Sequence, residues 1–176
     1  MADEPKTAWL NWLAITTIIF SACATLSTFK GGGYSTKAVL AQTNASNQWA
    51  YFQSKSVKQH TCELQRDAFE LQAMQVSDSG VARNYQLKLA GLQKDIGRYD
   101  KEKGQISDSA KALEQSKVDD QKDSARFGMA VVYLQLAIMF SALAALIKKK
   151  YVWMIGVVIG AFGLVNFVNG ILQTMK

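Results

Sequence analysis

The stretch YQLKLAGLQKDIGRYDKEKGQISDSAKALEQSKVDDQKDSARF, residues 85–127, decides the fold. Tyr85, Leu92, Tyr99, Ile106 and Leu113 return every seventh residue, the series continues through Asp120, and its next member, Phe127, already lies in an apolar run. A second series sits four residues on, at Leu89, Ile96, Lys103, Ala110 and Lys117. Paired repeats of seven mark a coiled-coil seam, because a stripe with that period keeps facing one partner. Neither a proline nor a turn signal separates the seam from the apolar run, so the pattern predicts one helix from about residue 81 to 147. Gly91, Gly97 and Gly104 each cost about 1 kcal/mol against alanine in such a helix. They weaken the helix, and close approach of another backbone is a second role open to them.

The partner is expected in the preceding segment. Val57, Leu64 and Leu71 recur every seven residues, with Gln53, His60, Asp67 and Met74 offset by three, and Ser77-Asp78-Ser79-Gly80 then supplies turn chemistry. Two long helices joined there form an antiparallel hairpin. Lys30-Gly31-Gly32-Gly33 is expected to interrupt the helix ahead of it as a hinge.

Working outward, the chain is apolar at both ends and polar in the middle, so a mean hydropathy close to zero averages two populations. Residues 8–29, AWLNWLAITTIIFSACATLSTF, contain no charge and are long enough to cross a bilayer, with Trp9 and Trp12 placed as interfacial anchors. FSAC within it is close to a lipoprotein cleavage box, but the preceding Asp3-Glu4-Pro5-Lys6 is not basic, and an uncleaved anchor is expected. Residues 127–147 and 152–174 form two further spans separated by Lys148, Lys149, Lys150 and Tyr151, a turn so short that the spans must be antiparallel. Short lysine-rich loops stay in the cytoplasm, which puts the amino terminus inside and the middle region outside. Lys30, Lys37, Lys122 and Arg126 count the other way.

The aromatic-rich segment NASNQWAYFQSKSVKQH, residues 44–60, falls in the helical middle. At 100° per residue, Ala38, Ala41, Gln42, Ala45, Trp49, Phe52, Ser56 and His60 share one face, and Tyr51 points away with Leu40, Asn47 and Lys58. Small residues alternating with rings suit helix packing; a ligand site made by Trp49, Tyr51 and Phe52 is the other reading. In the spans, Gly156-x-x-x-Gly160 with Gly163, opposite Ala137, Ser141 and Ala145, permits close helix contact.

WLNWLAITTIIFSACATLST, NQWAYFQSKSVKQH (residues 47–60) and KKKYVWMIGVVIGAFGLV together resemble a bacterial membrane-protein family of unknown function, domain of unknown function 4337. The likeness runs over nearly the whole chain. It implies an architecture of one anchor, a helical middle and a terminal hairpin, and it carries over no catalytic residue.

Chemistry is sparse. The chain has one histidine and two cysteines, Cys23 and Cys62, with no CxxC, no P-loop, no Gly-x-Ser-x-Gly and no His-Glu-x-x-His. His60, Cys62 and Glu63 are three metal-ligand types, but on a helix His60 and Cys62 diverge. No ionisable residue interrupts the spans, as one handling protons or ions would; Gln135, Asn166 and Asn169 could line a pore only in an oligomer. The net charge of +6 is spread among mixed signs and the triple lysine, which argues against nucleic acid.

The expected protein is therefore an all-α integral membrane protein with three transmembrane helices and a long extramembrane antiparallel helical hairpin. Its divisions are 1–30 for the anchor, 31–126 for the hairpin and 127–176 for the terminal transmembrane pair. Its expected function is that of a non-enzymatic, homo-oligomeric membrane scaffold or docking protein, without cofactor or metal. It would sit in a bacterial inner membrane with the hairpin periplasmic, and its partners would be lipid, further copies, or another membrane or periplasmic protein. The alternatives are an oligomeric channel or transporter subunit, and a ligand-sensing receptor working through a partner. Trp49, Phe52, His60, Leu64, Leu71, Leu92, Ile96, Gly156 and Gly160 are the expected packing or oligomer contacts.

Overall fold

The computed structural model describes residues 5–76 and 78–174. Three helices account for nearly all of them: α1 (Pro5–Met74), α2 (Ser79–Ile147) and α3 (Lys150–Thr174), and among the described residues there is no strand. Each of the three is long and apolar enough to cross a membrane. Ser77 of the expected turn, and Asp3 and Glu4 ahead of the first span, lie outside the described residues. The rest of the turn works through Asp78, whose carboxylate accepts the Gly80 amide at 2.7 Å while its carbonyl accepts the Ala82 amide at 3.0 Å. That is the N-cap arrangement, in which a side-chain oxygen satisfies an amide the first turn leaves unpaired.

The chain forms two compact units, Met1–Val39 with Lys117–Lys176, and Leu40–Ser116. These packing boundaries differ from the divisions at 30/31 and 126/127, which follow the onset of charge in the sequence.

In the first unit, α1, α2 and α3 pack through small residues. Leu134 and Ala137 of α2 form a buried cluster with Phe20 and Ala24 of α1. Leu13, Ala144 and Val152 form a second, with Trp9, Phe140 and Trp153 against it. Gly156 sits so close to α2 that a Cβ there would lie 2.9 Å from the Phe140 Cβ and 3.1 Å from the Ala137 carbonyl oxygen. Gly163 meets Leu134 in the same way, and Gly160 receives the ring of Phe20. Ala137 and Ser141 are buried, but Ala145 is exposed and Ala144 takes its place. Hydroxyls within the apolar stretches are satisfied by their own helix: Thr17 donates to the Leu13 carbonyl at 2.8 Å, Ser27 to Cys23 at 2.8 Å and Ser141 to Ala137 at 2.9 Å. Such bonds pair these hydroxyls without calling on a neighbouring helix.

The expected hinge at residues 30–33 does not form, since α1 runs through it unbroken. Gly31 is instead a contact point. It is buried, a Cβ there would lie 3.1 Å from that of Phe127, and its carbonyl accepts the Ser124 hydroxyl at 3.0 Å. Phe127 is fully buried and stacks on Tyr34. A glycine run breaks a helix only when nothing repays its backbone entropy, and here the approach of α2 does.

Between α2 and α3, Lys148 adopts the left-handed conformation (φ 55°), and the Lys149 amide reaches the Ala144 carbonyl at 3.3 Å. This is the Schellman pattern for ending a helix, carried by lysine where glycine is usual.

In the second unit α1 and α2 run in opposite directions, as the pairs Phe69–Tyr85, Lys55–Glu102 and Trp49–Glu114 require. On α2 both expected series turn inward. Ile96, Ile106 and Ala110 are buried, and Tyr85, Leu89, Leu92, Tyr99, Lys103 and Leu113 are half-buried. Gly91, Gly97 and Gly104 have open space beside them, which removes close backbone approach as their role.

Candidate functional site

The seam between α1 and α2 in the second unit is where the chain concentrates charge, aromatic rings and partial burial, and it is built from the spacing of α1. Ala45, Phe52, Gln59, Arg66 and Ala73 recur at seven and are buried or half-buried; so are Ala41, Gln48, Lys55, Cys62 and Phe69, offset by three. Lysine, glutamine and arginine thus occupy inward positions of a helix whose leucines point elsewhere. Val57, Leu64 and Leu71, expected to face α2, are exposed at 63, 57 and 63%. His60 is exposed as well and sits 3.5 Å from Glu63 of its own helix.

The polar positions are matched across the seam. The Lys55 ammonium lies 2.6 Å from the Glu102 carboxylate as an ion pair; the oxygen it faces is shut off from solvent and accepts no well-aligned hydrogen bond. The same ammonium sits over the rings of Tyr51, at 5.2 Å, and Tyr99, at 5.5 Å. Lys103 donates to the Gln59 side-chain oxygen at 3.1 Å and lies over the Phe52 ring at 5.3 Å. Trp49 donates from its indole to Glu114 at 2.8 Å and meets Phe52 edge-to-face at 5.6 Å. Lys55 and Lys103, both half-buried, therefore each have an oxygen of opposite or partial negative charge and an aromatic face beside them, the two things that offset lost hydration.

These contacts set the proton equilibria. The Lys55 ammonium against it holds the Glu102 carboxyl below the usual carboxylate range. Glu102, and after it Tyr51, push the Lys55 ammonium above the usual lysine range. Both shifts favour the charged pair. The pair so charged ties α1 to α2 at this level of the seam.

Of the residues singled out in the sequence, Trp49, Phe52, Leu92 and Ile96 meet in this seam, and Gly156 and Gly160 meet their neighbours in the first unit. His60, Leu64 and Leu71 stay outside. Trp49 and Tyr51 flank the seam on opposite sides, so the three aromatics of residues 49–52 do not gather around one space. Gln135 and Asn169 are exposed, and the Asn166 amide is turned back to the Phe162 carbonyl at 2.9 Å. Lys55, Gln59, Glu102 and Glu114 were missed. The signal that finds Lys55 and Gln59 is the count of seven carried forward from Ala38 and Ala41, both buried; Glu102 and Glu114 stand one residue from the α2 seam positions Lys103 and Leu113 and carry no repeat of their own.

Among the described residues, no three His, Cys, Asp or Glu side chains converge to hold a metal. A family model described as a domain of unknown function (DUF4337) matches residues 9–173. No curated protein and no solved structure matches the chain.

Proposed function

The chain belongs to that family of unknown function, DUF4337, and from this premise we propose that it is a non-enzymatic, homo-oligomeric membrane scaffold. Three segments, one in each helix, cross the bilayer, and residues 40–116 form an extramembrane coiled-coil hairpin that serves as a docking element. The membrane is a bacterial inner membrane. The amino terminus and the triple lysine at residues 148–150 are cytoplasmic and the hairpin periplasmic.

One observation carries the proposal. The α1–α2 seam of residues 40–116 is matched from both sides, Lys55 against Glu102 and Tyr99 and Lys103 against Gln59 and Phe52 within it, and Trp49 with Glu114 at its edge. A seam closed in this way spends its chemistry on register and rigidity, which is what a scaffold needs. The uncharged apolar stretches and self-satisfied hydroxyls of the first unit support the membrane part.

The test uses the full chain with Cys23 and Cys62 replaced by serine and an exposed cysteine introduced by Gln93→Cys. Membrane-fraction protein that an impermeant maleimide modifies in intact cells supports the proposal. Modification only after lysis overturns the sidedness, and recovery of the chain in the soluble fraction overturns the membrane assignment. Ion flux through liposomes that changes with Gln135→Ala would replace the scaffold by a channel.

A further inference from the structure

Where α1 leaves its apolar stretch at Phe29 it carries a groove of about 490 Å³, lined by Lys30, Gly32, Gly33, Tyr34, Thr36 and Lys37 with Phe29 beside them. Its shape follows from spacing. Lys30, Gly33 and Lys37 stand on one face of the helix at intervals of three and four, so the missing side chain of Gly33 leaves a notch between two lysines. Gly31 is accounted for by Phe127, but Gly32 and Gly33 have nothing within 4 Å of where a Cβ would stand. Alanine would serve the helix better at both positions, and no protein neighbour among the described residues accounts for its absence. The charge of the groove is one-sided. Among the described residues no carboxylate lines it and neither lysine has one within ion-pair range; Lys37 lies over the Tyr34 ring at 5.1 Å instead. On α2 of the same unit, by contrast, Arg126 is answered by Asp123 at 2.7 Å and Lys122 by Asp119 at 3.2 Å.

We propose that this groove holds the headgroup of an anionic phospholipid, with the phosphate between Lys30 and Lys37 and the acyl chains against Leu26 and Phe29. The inference rests on the reading that residues 8–29 cross the bilayer, and it needs neither oligomerisation nor scaffold function.

That reading also names the occupant, because lipid is what surrounds an outward face at the end of a span. The apolar stretch ends at Phe29, so Lys30 stands at the edge of the hydrocarbon and Lys37 about 10 Å further along the helix at 1.5 Å per residue. The two therefore cover the headgroup layer, roughly 5–8 Å deep on each side of a bilayer. Leu26 and Phe29, exposed at 54 and 79%, face outward just inside that edge, where acyl chains lie. Two lysines without a carboxylate favour a headgroup of net negative charge over a zwitterionic one. In the proposed orientation they stand on the side opposite the triple lysine at residues 148–150, where the positive-inside tendency gives them no role. A lipid contact supplies one.

The experiment takes the full chain in phosphatidylcholine vesicles holding a trace of photoreactive lipid, either phosphatidylglycerol or phosphatidylcholine with the same acyl chains, and measures labelling of residues 26–37 by peptide mass. A lysine at an anionic surface is worth about a fivefold gain in affinity, so phosphatidylglycerol should label this segment roughly 25-fold more than phosphatidylcholine. Lys30→Gln with Lys37→Gln should bring the two lipids level. Lys94→Gln with Lys111→Gln, the same loss of charge at exposed positions of the second unit, should leave the preference as it is. Gly33→Leu, a better helix former that fills the notch, should lower the preference with helicity intact. Equal labelling by the two lipids in the parent, or a preference that survives both lysine substitutions, overturns the site and leaves the membrane reading standing. Labelling abolished by millimolar inorganic phosphate overturns the lipid in favour of a free anion. A chain that does not enter the vesicles overturns the membrane reading itself.

Discussion

Gly160 and Phe20 form a size-matched pair whose coupling can be measured. A Cβ on residue 160 would lie 2.6 Å from Phe20 Cε2 and 2.7 Å from Cε1, where ordinary carbon contacts are about 3.5–4.0 Å. The ring must therefore retreat by about 1 Å. It is only 4% exposed and packs with Ala24, Leu134 and Ala137, so the retreat disturbs a closed cluster. Overpacking of this kind costs about 1–3 kcal/mol, and three ring atoms in conflict, Cζ, Cε1 and Cε2, place Gly160→Ala near 2 kcal/mol. Phe20→Leu alone removes the ring edge and leaves a small void, at a cost of about 1 kcal/mol. Combined, the new methyl occupies the space the ring edge vacates. The double variant should then lie within about 1 kcal/mol of the parent rather than at the additive sum of about 3. The assay is denaturant unfolding of the detergent-solubilised chain followed by helical circular dichroism for the four proteins of the cycle. Strict additivity, or a Gly160→Ala variant as stable as the parent, would refute the packing of α3 on α1.

Further outcomes follow from the caps and the seam. Asp78→Ala removes the acceptor for the Gly80 amide and should cost about 1 kcal/mol of stability in the same assay, with Asp78→Asn close to the parent. Lys148→Gly relieves a left-handed lysine at some cost in unfolded-chain entropy, so stability should rise by up to about 1 kcal/mol. Glu102, whose folded pKa is depressed, contributes stability present in full above the ordinary carboxylate range and lost as pH falls through its folded value. Lys55, whose folded pKa is raised, contributes stability present in full below the ordinary lysine range and lost as pH rises through its folded value. The melting temperature should hold a plateau from about pH 5 to about pH 10 and fall outside it, and Glu102→Gln should lower the plateau and flatten its acid limb.

The α2 side of the seam was legible because apolar residues occupy most heptad positions from Tyr85 to Phe127, and the pattern survives Lys103, Lys117 and Asp120. The α1 side was not, for two physical reasons. Its inward positions are polar, so a search for apolar repeats finds the outer stripe at Val57, Leu64 and Leu71 first. And a face drawn at 100° per residue drifts from a seven-residue seam by about 20° each heptad. That is why the face holding Ala38, Ala41, Ala45, Trp49 and Phe52 had slid off by His60, while the true seam passes through Gln59. The hinge expected at residues 30–33 failed for a related reason. Local propensity counts the entropy of three glycines and has no knowledge of Phe127, which reaches Gly31 only because α2 returns along α1.

In the first unit, the small-residue spacing of Gly156, Gly160 and Gly163 was visible, but the choice between Ala144 and Ala145 was not. It depends on the rotation of α2, and that is set by Phe127, Leu134 and Ser141, all fully buried. Phe20 entering at Gly160 belongs to a third helix far away in sequence, and no local pattern announces it.

The seam itself is open to one direct measurement: cross-linking with a short bis-maleimide in full-length protein free of Cys23 and Cys62, carrying cysteine pairs one rung at a time. Phe69→Cys with Tyr85→Cys and Gln59→Cys with Lys103→Cys should link efficiently within one chain, and Leu64→Cys with Leu92→Cys should not, because Leu64 faces away from α2. Equal linking of all three pairs, or linking at Leu64 in preference to Gln59, would contradict the register on which the account of residues 40–116 stands.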